Sequence, residues 1–322
     1  MSPISRRAAL AVLPLALAPA VLHAQEFPSR PIKIVVGFGP GAAIEVSTRL
    51  IADLASKELG QPVLVENKPG AATMIAAKQV AQAPKDGYTL LLLNIQQYNN
   101  PLLFRNVSYK ASDFTPIIAG GLVSLAMATA KSLPVKNVRE FIALVKANPG
   151  KLNYGYAGAG GSPQLMATRL EQVNGIQMQG VAYKDLSQIT TDLVSERIHL
   201  LFTSAAHGLS MLQAGHANIL AVSSPKRLPM LPDVATFSES GIEGMPAPWW
   251  GYAAPAGTPP AVIARLERAF RAAMATPRYQ EMLVTTGSSP LDFESPAKFA
   301  EFIERETERW AAGIRALNLP LE

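Results

Sequence analysis

Cysteine is missing altogether from this 322-residue chain. Its absence excludes structural disulfides, thiolate metal sites, cysteine nucleophiles and a lipid anchor on an N-terminal cysteine. Charge is sparse, at 16% of residues, and nowhere gathered: the formal net charge of +5 comes from scattered side chains, with no basic run longer than Lys226-Arg227. Nucleic-acid binding needs a patch able to neutralise several phosphates, so no nucleic-acid partner is expected. Histidine is rare too. Of the four, His199, His207 and His216 lie beyond the leader described below, and none has metal-ligand spacing to a nearby acid. Ser162 lacks the G-x-S-x-G setting of a hydrolase nucleophile, because Gln164 stands where the second glycine would be. No catalytic constellation and no cofactor motif beyond a single glycine loop remain, so the chain reads as a non-enzyme that carries no cofactor.

A long hydrophobic span is also lacking. Arg6 and Arg7 precede an apolar run from Ala8 to Val21, interrupted by Pro14 and Pro19 and shorter than the roughly 20 residues a bilayer needs. Residues 1–24 therefore read as an export signal cut after Ala24, with Ala18-Pro19-Ala20 as a competing site, and the mature protein as periplasmic. Ser5-Arg6-Arg7 looks like a twin-arginine signal, but Ala9 takes the place of its usual hydrophobic residue, leaving the export route open.

What is present is a globular pattern, 48% hydrophobic and long enough for two domains. Apolar runs alternate with helical stripes almost throughout, which predicts an α/β fold with largely parallel sheets. Strands are expected at 31–38, 62–66, 88–93, 114–118 and 122–129, with helices over 46–54 and 72–82. A second unit follows: a helix over 138–148, strands at 153–156, 178–182, 198–203 and 218–223, and helices at 186–195 and 208–214. The Pro- and Gly-rich stretch 226–248 reads as a long connection leading to a strand at 249–254. Helices opened by Thr258-Pro259 and Ser295-Pro296 end the chain.

Two glycine loops carry most of the chemistry. Gly37-Phe38-Gly39-Pro40-Gly41-Ala42 joins a buried strand to a helix; without Cβ atoms its backbone can approach a ligand, and the first helical amides lack intrahelical partners. An anion is favoured there, by about 0.3–1 kcal/mol at an exposed helix end and up to about 2 when partly buried. Gly158-Ala159-Gly160-Gly161-Ser162 repeats the arrangement, with Ser162 expected as the cap of the next helix. Facing each other across a cleft, two such loops would suit a two-carboxylate ligand; the alternative for each is a tight turn that binds nothing. The first loop also matches G-x-G-x-x-A, with Glu66 ending the next strand, so a dinucleotide-binding enzyme is the competing reading.

Several segments resemble, in order, the Bug, or TctC, family of tripartite tricarboxylate transporter substrate-binding proteins: 27–32 (FPSRPI), 65–71 (VENKPGA), 83–90 (APKDGYTL), 147–154 (ANPGKLNY), 231–234 (LPDV) and 254–259 (APAGTP). The resemblance implies a type II-like periplasmic binding fold that closes on its ligand. The first domain would be made from residues 25–124 and 248–322, and the second from 125–247. It further implies a monomer handing a carboxylate to the membrane subunits of a secondary transporter; a sensor for a signalling partner is the alternative use. Carried onto this chain, the contacts are Phe38, Gly39, Pro40, Gly41, Ala43, Ile44 and Glu45 in the first loop, and Gly158, Gly160, Gly161 and Ser162 in the second. Gln96, Tyr183, Thr203 and Trp250 complete the set. Ala43-Ile44-Glu45 departs from the family's usual small residue, threonine and aspartate, and Gln164 and Thr203-Ser204 also depart. The cleft is therefore expected to be less polar than usual, for a mono- or dicarboxylate with an apolar or aromatic body. Trp249 or Trp250 would pack on that body or else sit in the core. Glu45 would either simply favour the helix dipole or meet a ligand ammonium group.

Overall fold

The computed structural model describes residues 27–40, 43–157 and 160–321. The export-signal reading, together with Gly41 and Gly158, lies outside them.

Strand β1 (Ile32–Val36) feeds α1 (Ala43–Leu59), which ends at left-handed Gly60 (φ +67°). β2 (Val63–Asn67), α2 (Met74–Ala81), β3 (Thr89–Asn94) and α3 (Gln96–Leu103) follow, then β4 (Phe114–Val123). After Ser124 the chain enters a second sheet with β5 (Leu125–Ala130), α4 (Val138–Ala147), β6 (Asn153–Ala157) and α5 (Ser162–Asn174). β7 (Gln179–Tyr183), α6 (Leu186–Val194), β8 (Leu200–Ser204), α7 (Ala205–Gln213) and β9 (Ala217–Val222) complete that sheet. The long connection then returns to the first sheet through β10 (Trp249–Pro255), α8 (Pro260–Met274), α9 (Pro277–Thr286), β11 (Ser288–Ser289) and α10 (Pro296–Ala316).

The first sheet runs β11-β4-β10-β3-β1-β2, and the second β7-β6-β8-β5-β9. β1, β2 and β3 are mutually parallel, as are β6, β7 and β8, so each sheet gathers strand C-termini and helix N-termini along one edge. Helices cover both faces. Ile32, Ile34, Leu90 and Leu92 are buried beneath α1 and α8, while Leu91 and Leu93 face the core beneath α10. Leu→Ala at any of these fully buried leucines would cost about 2–5 kcal/mol.

The two sheets are tied where the chain crosses. Val123 N–H donates to Pro248 O (2.7 Å) and Ala205 N–H to Ser124 O (2.9 Å). Leu125 N–H donates to Ser223 Oγ, while Ser223 N–H donates back to Leu125 O, both at 2.8 Å.

One helix was not foreseen, and two helix starts need correction. α3 has no apolar stripe in its sequence, Gln96-Gln97-Tyr98-Asn99-Asn100-Pro101, and is held by buried hydrogen bonds instead. α2 starts at Met74, not Ala72, because Ala71, Ala72 and Thr73 take left-handed φ values of 45°, 48° and 70°. α7 starts at Ala205, three residues early, because Ser204 Oγ accepts the His207 N–H (3.3 Å) and caps it there.

Candidate functional site

The C-terminal edge of the first sheet is a dense polar construction. A Cβ on Gly37 would lie 2.6 Å from that of Thr73, so only glycine lets the β1–α1 loop pass so close to the left-handed turn 71–73. Three successive non-glycine residues in that region cost about 1–3 kcal/mol each unless their surroundings hold them. α3 supplies the hold: Asn100 Nδ2 donates to Ala72 O (2.9 Å) and Gln97 Nε2 to Thr73 Oγ1 (2.9 Å). Gln97 Oε1 meanwhile accepts the Asn94 N–H (2.8 Å). The Tyr109 hydroxyl donates to Gln97 O and accepts from Asn100 Nδ2, each at 3.0 Å. Burial pushes the Tyr109 pKa up to about 12, which keeps it a neutral donor. Gln96, predicted to line the site, sits at the start of α3 with its Nε2 on Asn100 Oδ1 (2.8 Å).

A second lock fixes the loop from the α1 side. Glu45, only 1% exposed, accepts from Arg49 Nε (2.5 Å) and from Asn67 Nδ2 (3.2 Å). Asn67 Nδ2 also reaches Phe38 O (3.0 Å), and its Oδ1 accepts from Arg49 Nη2 (2.7 Å). One asparagine at the end of β2 thus ties loop, helix and strand together. Phe38 and Ile44 are half-buried against the core, Ala43 opens α1, Pro40 is exposed, and a Cβ on Gly39 would meet open space. Glu66, the acid of the dinucleotide reading, is already taken by Lys33 Nζ (2.9 Å) and Lys68 Nζ (3.0 Å), which draw its pKa down to about 2.

The facing edge of the second sheet is built differently. Gly160 is left-handed (φ +68°), and its N–H donates to the buried Gln164 Oε1 (2.8 Å). A Cβ there would lie 2.5 Å from Leu103, so the second glycine loop rests directly on the end of α3. Leu165 of α5 reaches across as well, into the core beneath α10. Ser162 does not cap α5 as expected: Gly161 occupies the cap position without a side-chain bond, and Gln164 satisfies the loop amide in its stead. Thr203 is buried at the end of β8.

Two expected contacts point elsewhere. Tyr183 ends β7 at the cleft edge, but its hydroxyl donates to Asp192 Oδ2 (2.8 Å), near the far end of α6, and its ring leans back over Gly155. It is therefore turned away from the facing loops. Trp250 is fully buried beneath α1 and α8, with its indole across Gly120 and Gly121, while Trp249 packs with Tyr98, Phe299 and Phe302 on the opposite face. Both tryptophans belong to the core, because β10 lies inside the sheet between β3 and β4. Among the described residues, no group of histidines and acids could hold a metal ion. Asn94, which sequence reasoning passed over, lies 95% buried at the end of β3. Only its place one residue past a run of four leucines could have marked it.

Comparison with known proteins identifies the family and the fold. Residues 47–319 match the model of the tripartite tricarboxylate transporter family receptor, TctC. The periplasmic binding protein BugD superposes with a TM-score of 0.72 at 30% identity, covering 92% of this chain and 100% of its own. Adipate-bound Rpa4515 of R. palustris gives a TM-score of 0.76 at 30% identity with the same coverage. Malate-bound MatC (Rpa3494) of Rhodopseudomonas palustris gives 0.72 at 27% identity, over 89% of this chain and 100% of its own.

Proposed function

Because the chain belongs to the tripartite tricarboxylate transporter receptor family, we propose that it captures a small mono- or dicarboxylate with an apolar body and hands it to the membrane subunits of such a transporter. Members of this family are solute-binding receptors and not enzymes, which sets aside the dinucleotide-enzyme reading. The working compartment is the periplasm. The domains meet at Ser124 and Pro248, and closure about this pair of crossings is the signal of occupancy.

One observation carries the reading: the Gly160 loop, which precedes α5, sits against Leu103, the last residue of the helix that follows β3, so the two units meet beside the glycine loops. The α1 end turns the positive end of its helix dipole to a carboxylate, and the second edge contributes mostly backbone and apolar surface for its body. Similarity to proteins with bound adipate and malate supports the same ligand class. Glu45 serves the loop by binding Arg49 and Asn67, and the ligand needs no ammonium group.

The test is a melting-temperature panel of the exported protein with adipate, succinate, malate, benzoate, glutamate, citrate and NAD. A ligand at about 100 times its Kd adds about 2.7 kcal/mol, which raises the midpoint by roughly 5 °C. Adipate, succinate or benzoate should stand out. A largest shift with citrate overturns the apolar-body reading, and a shift only with NAD overturns the receptor reading.

A further inference from the structure

We propose that Asn94 reads the ligand's carboxylate, donating its side-chain NH2 to the same oxygen cluster that the N-terminus of α1 attracts. The proposal deepens the carboxylate reading above and rests on it.

Asn94 ends β3, between β1 and β10, and is only 5% exposed. Its Oδ1 accepts the Gln96 N–H at 2.7 Å. A backbone amide can only donate, so the atom facing it must be oxygen, and the orientation of the carboxamide is thereby settled. The other end of the group, Nδ2, is buried and has no hydrogen-bond partner among the described residues. Around it, by contrast, Gln97, Asn100, Thr73 and Tyr109 are joined in one bonded network. Trp250 Nε1 and Asn99 Oδ1 nearby are unpaired too, but Nδ2 is the unpaired donor at the strand's C-terminal end; leaving it so costs about 1–3 kcal/mol, which an acceptor arriving from outside would offset.

Strand alternation says where that donor lies. Leu90 and Leu92 face the core beneath α1 and α8, and Asn94 continues the same side; its cross-strand partner Trp250 lies in that core, and so does Val36, after which the chain turns towards α1. Asn94 therefore lies at the end of the sheet on the face that the 17-residue α1 covers, where Ile44 of its first turn packs on the same core. The N-terminal end of α1 and the Asn94 carboxamide thus share one face at the C-terminal end of the sheet. A carboxylate, acceptor-only with two oxygens, fits both.

Asn94→Asp provides the test. It is isosteric, keeps an oxygen for the Gln96 N–H, and replaces the proposed donor with a negative acceptor. Binding of adipate, succinate and benzoate, and of their fully amidated counterparts adipamide, succinamide and benzamide, would be measured by calorimetry on the exported wild-type protein and on the variant. The expected result is a loss of about 100-fold for the acids, with the acid-over-amide preference shrinking at least tenfold, because an aspartate accepts from an amide but repels a carboxylate. Asn94→Ser, which retains a hydroxyl donor, should keep the acid preference and lose less affinity, and it provides the readout if the aspartate variant does not fold. A merely structural role would lower acids and amides alike, so an unchanged acid-to-amide ratio overturns the proposal. Wild-type protein that binds none of the three acids overturns the carboxylate reading itself; wild-type protein that binds them while Asn94→Asp keeps its preference overturns this proposal alone.

Discussion

The two edges that face each other are held by opposite means. On the first sheet, Thr73, Asn94, Gln97 and Asn100 are each at least 95% buried and bonded to one another or to Tyr109, and Glu45, Arg49 and Asn67 form a separate lock. On the second sheet, among the described residues, Gln164 holds the glycine loop, and its outer support is the apolar Leu103. A hydrogen-bonded edge has fixed donors before any ligand comes, whereas an edge resting on dispersion contacts can slide over its neighbour at little cost. The first edge is thus suited to hold its groups in fixed positions, and the second to tolerate displacement.

Breaking the second edge at its point of contact should have the largest effect. Gly160→Ala faces both a left-handed backbone and a clash with Leu103, and should destabilise by about 3 kcal/mol in urea unfolding. Adding Leu103→Ala should relieve the clash and recover part of that loss, but not the backbone part; full recovery would mean that the left-handed φ is unimportant.

The hydrogen-bonded edge can be compared with its counterpart through one substitution in each. Gln97→Leu strands the Asn94 N–H and Thr73 Oγ1 together, with an expected cost of about 2–3 kcal/mol, while Gln164→Leu strands only the Gly160 N–H, costing about 1 kcal/mol. Equal losses in chemical denaturation would remove the asymmetry between the edges.

The smallest effect is one of pH. With its folded pKa drawn from about 4.3 down to about 2 by Lys33 and Lys68, Glu66 stabilises the fold fully above the unfolded value and progressively less as pH falls towards 2. Both lysines are nearly half-exposed, so the contribution is about 1 kcal/mol or less. Glu66→Gln should flatten that part of the acid limb of a stability curve and leave stability unchanged at pH 2.

Much of the framework was legible because it is local. Alternating apolar runs marked the strands from β1 to β10, and Gly60, Gly175 and Ser295 ended or opened helices where turn chemistry required. α3 escaped for the opposite reason: its polar residues face inward, and Gln97 and Asn100 find partners on Ala72, Thr73 and Tyr109 that no local pattern announces. The same limit affects the site. The two glycine loops were recognisable from their composition, but the directions of Tyr183 and Trp250 depend on what packs beside them.

By itself, the sequence determined the α/β class, the two glycine loops before helices and the family motifs, because periodicity, turn residues and helix caps act within a few residues. Only the tertiary structure decided that Trp250 is core, that Tyr183 turns to Asp192, that Glu45 binds Arg49 and Asn67, and that Asn94 keeps a free donor. Whether a buried polar group is satisfied depends on strands and helices distant in the chain, and no local pattern records which of them will meet.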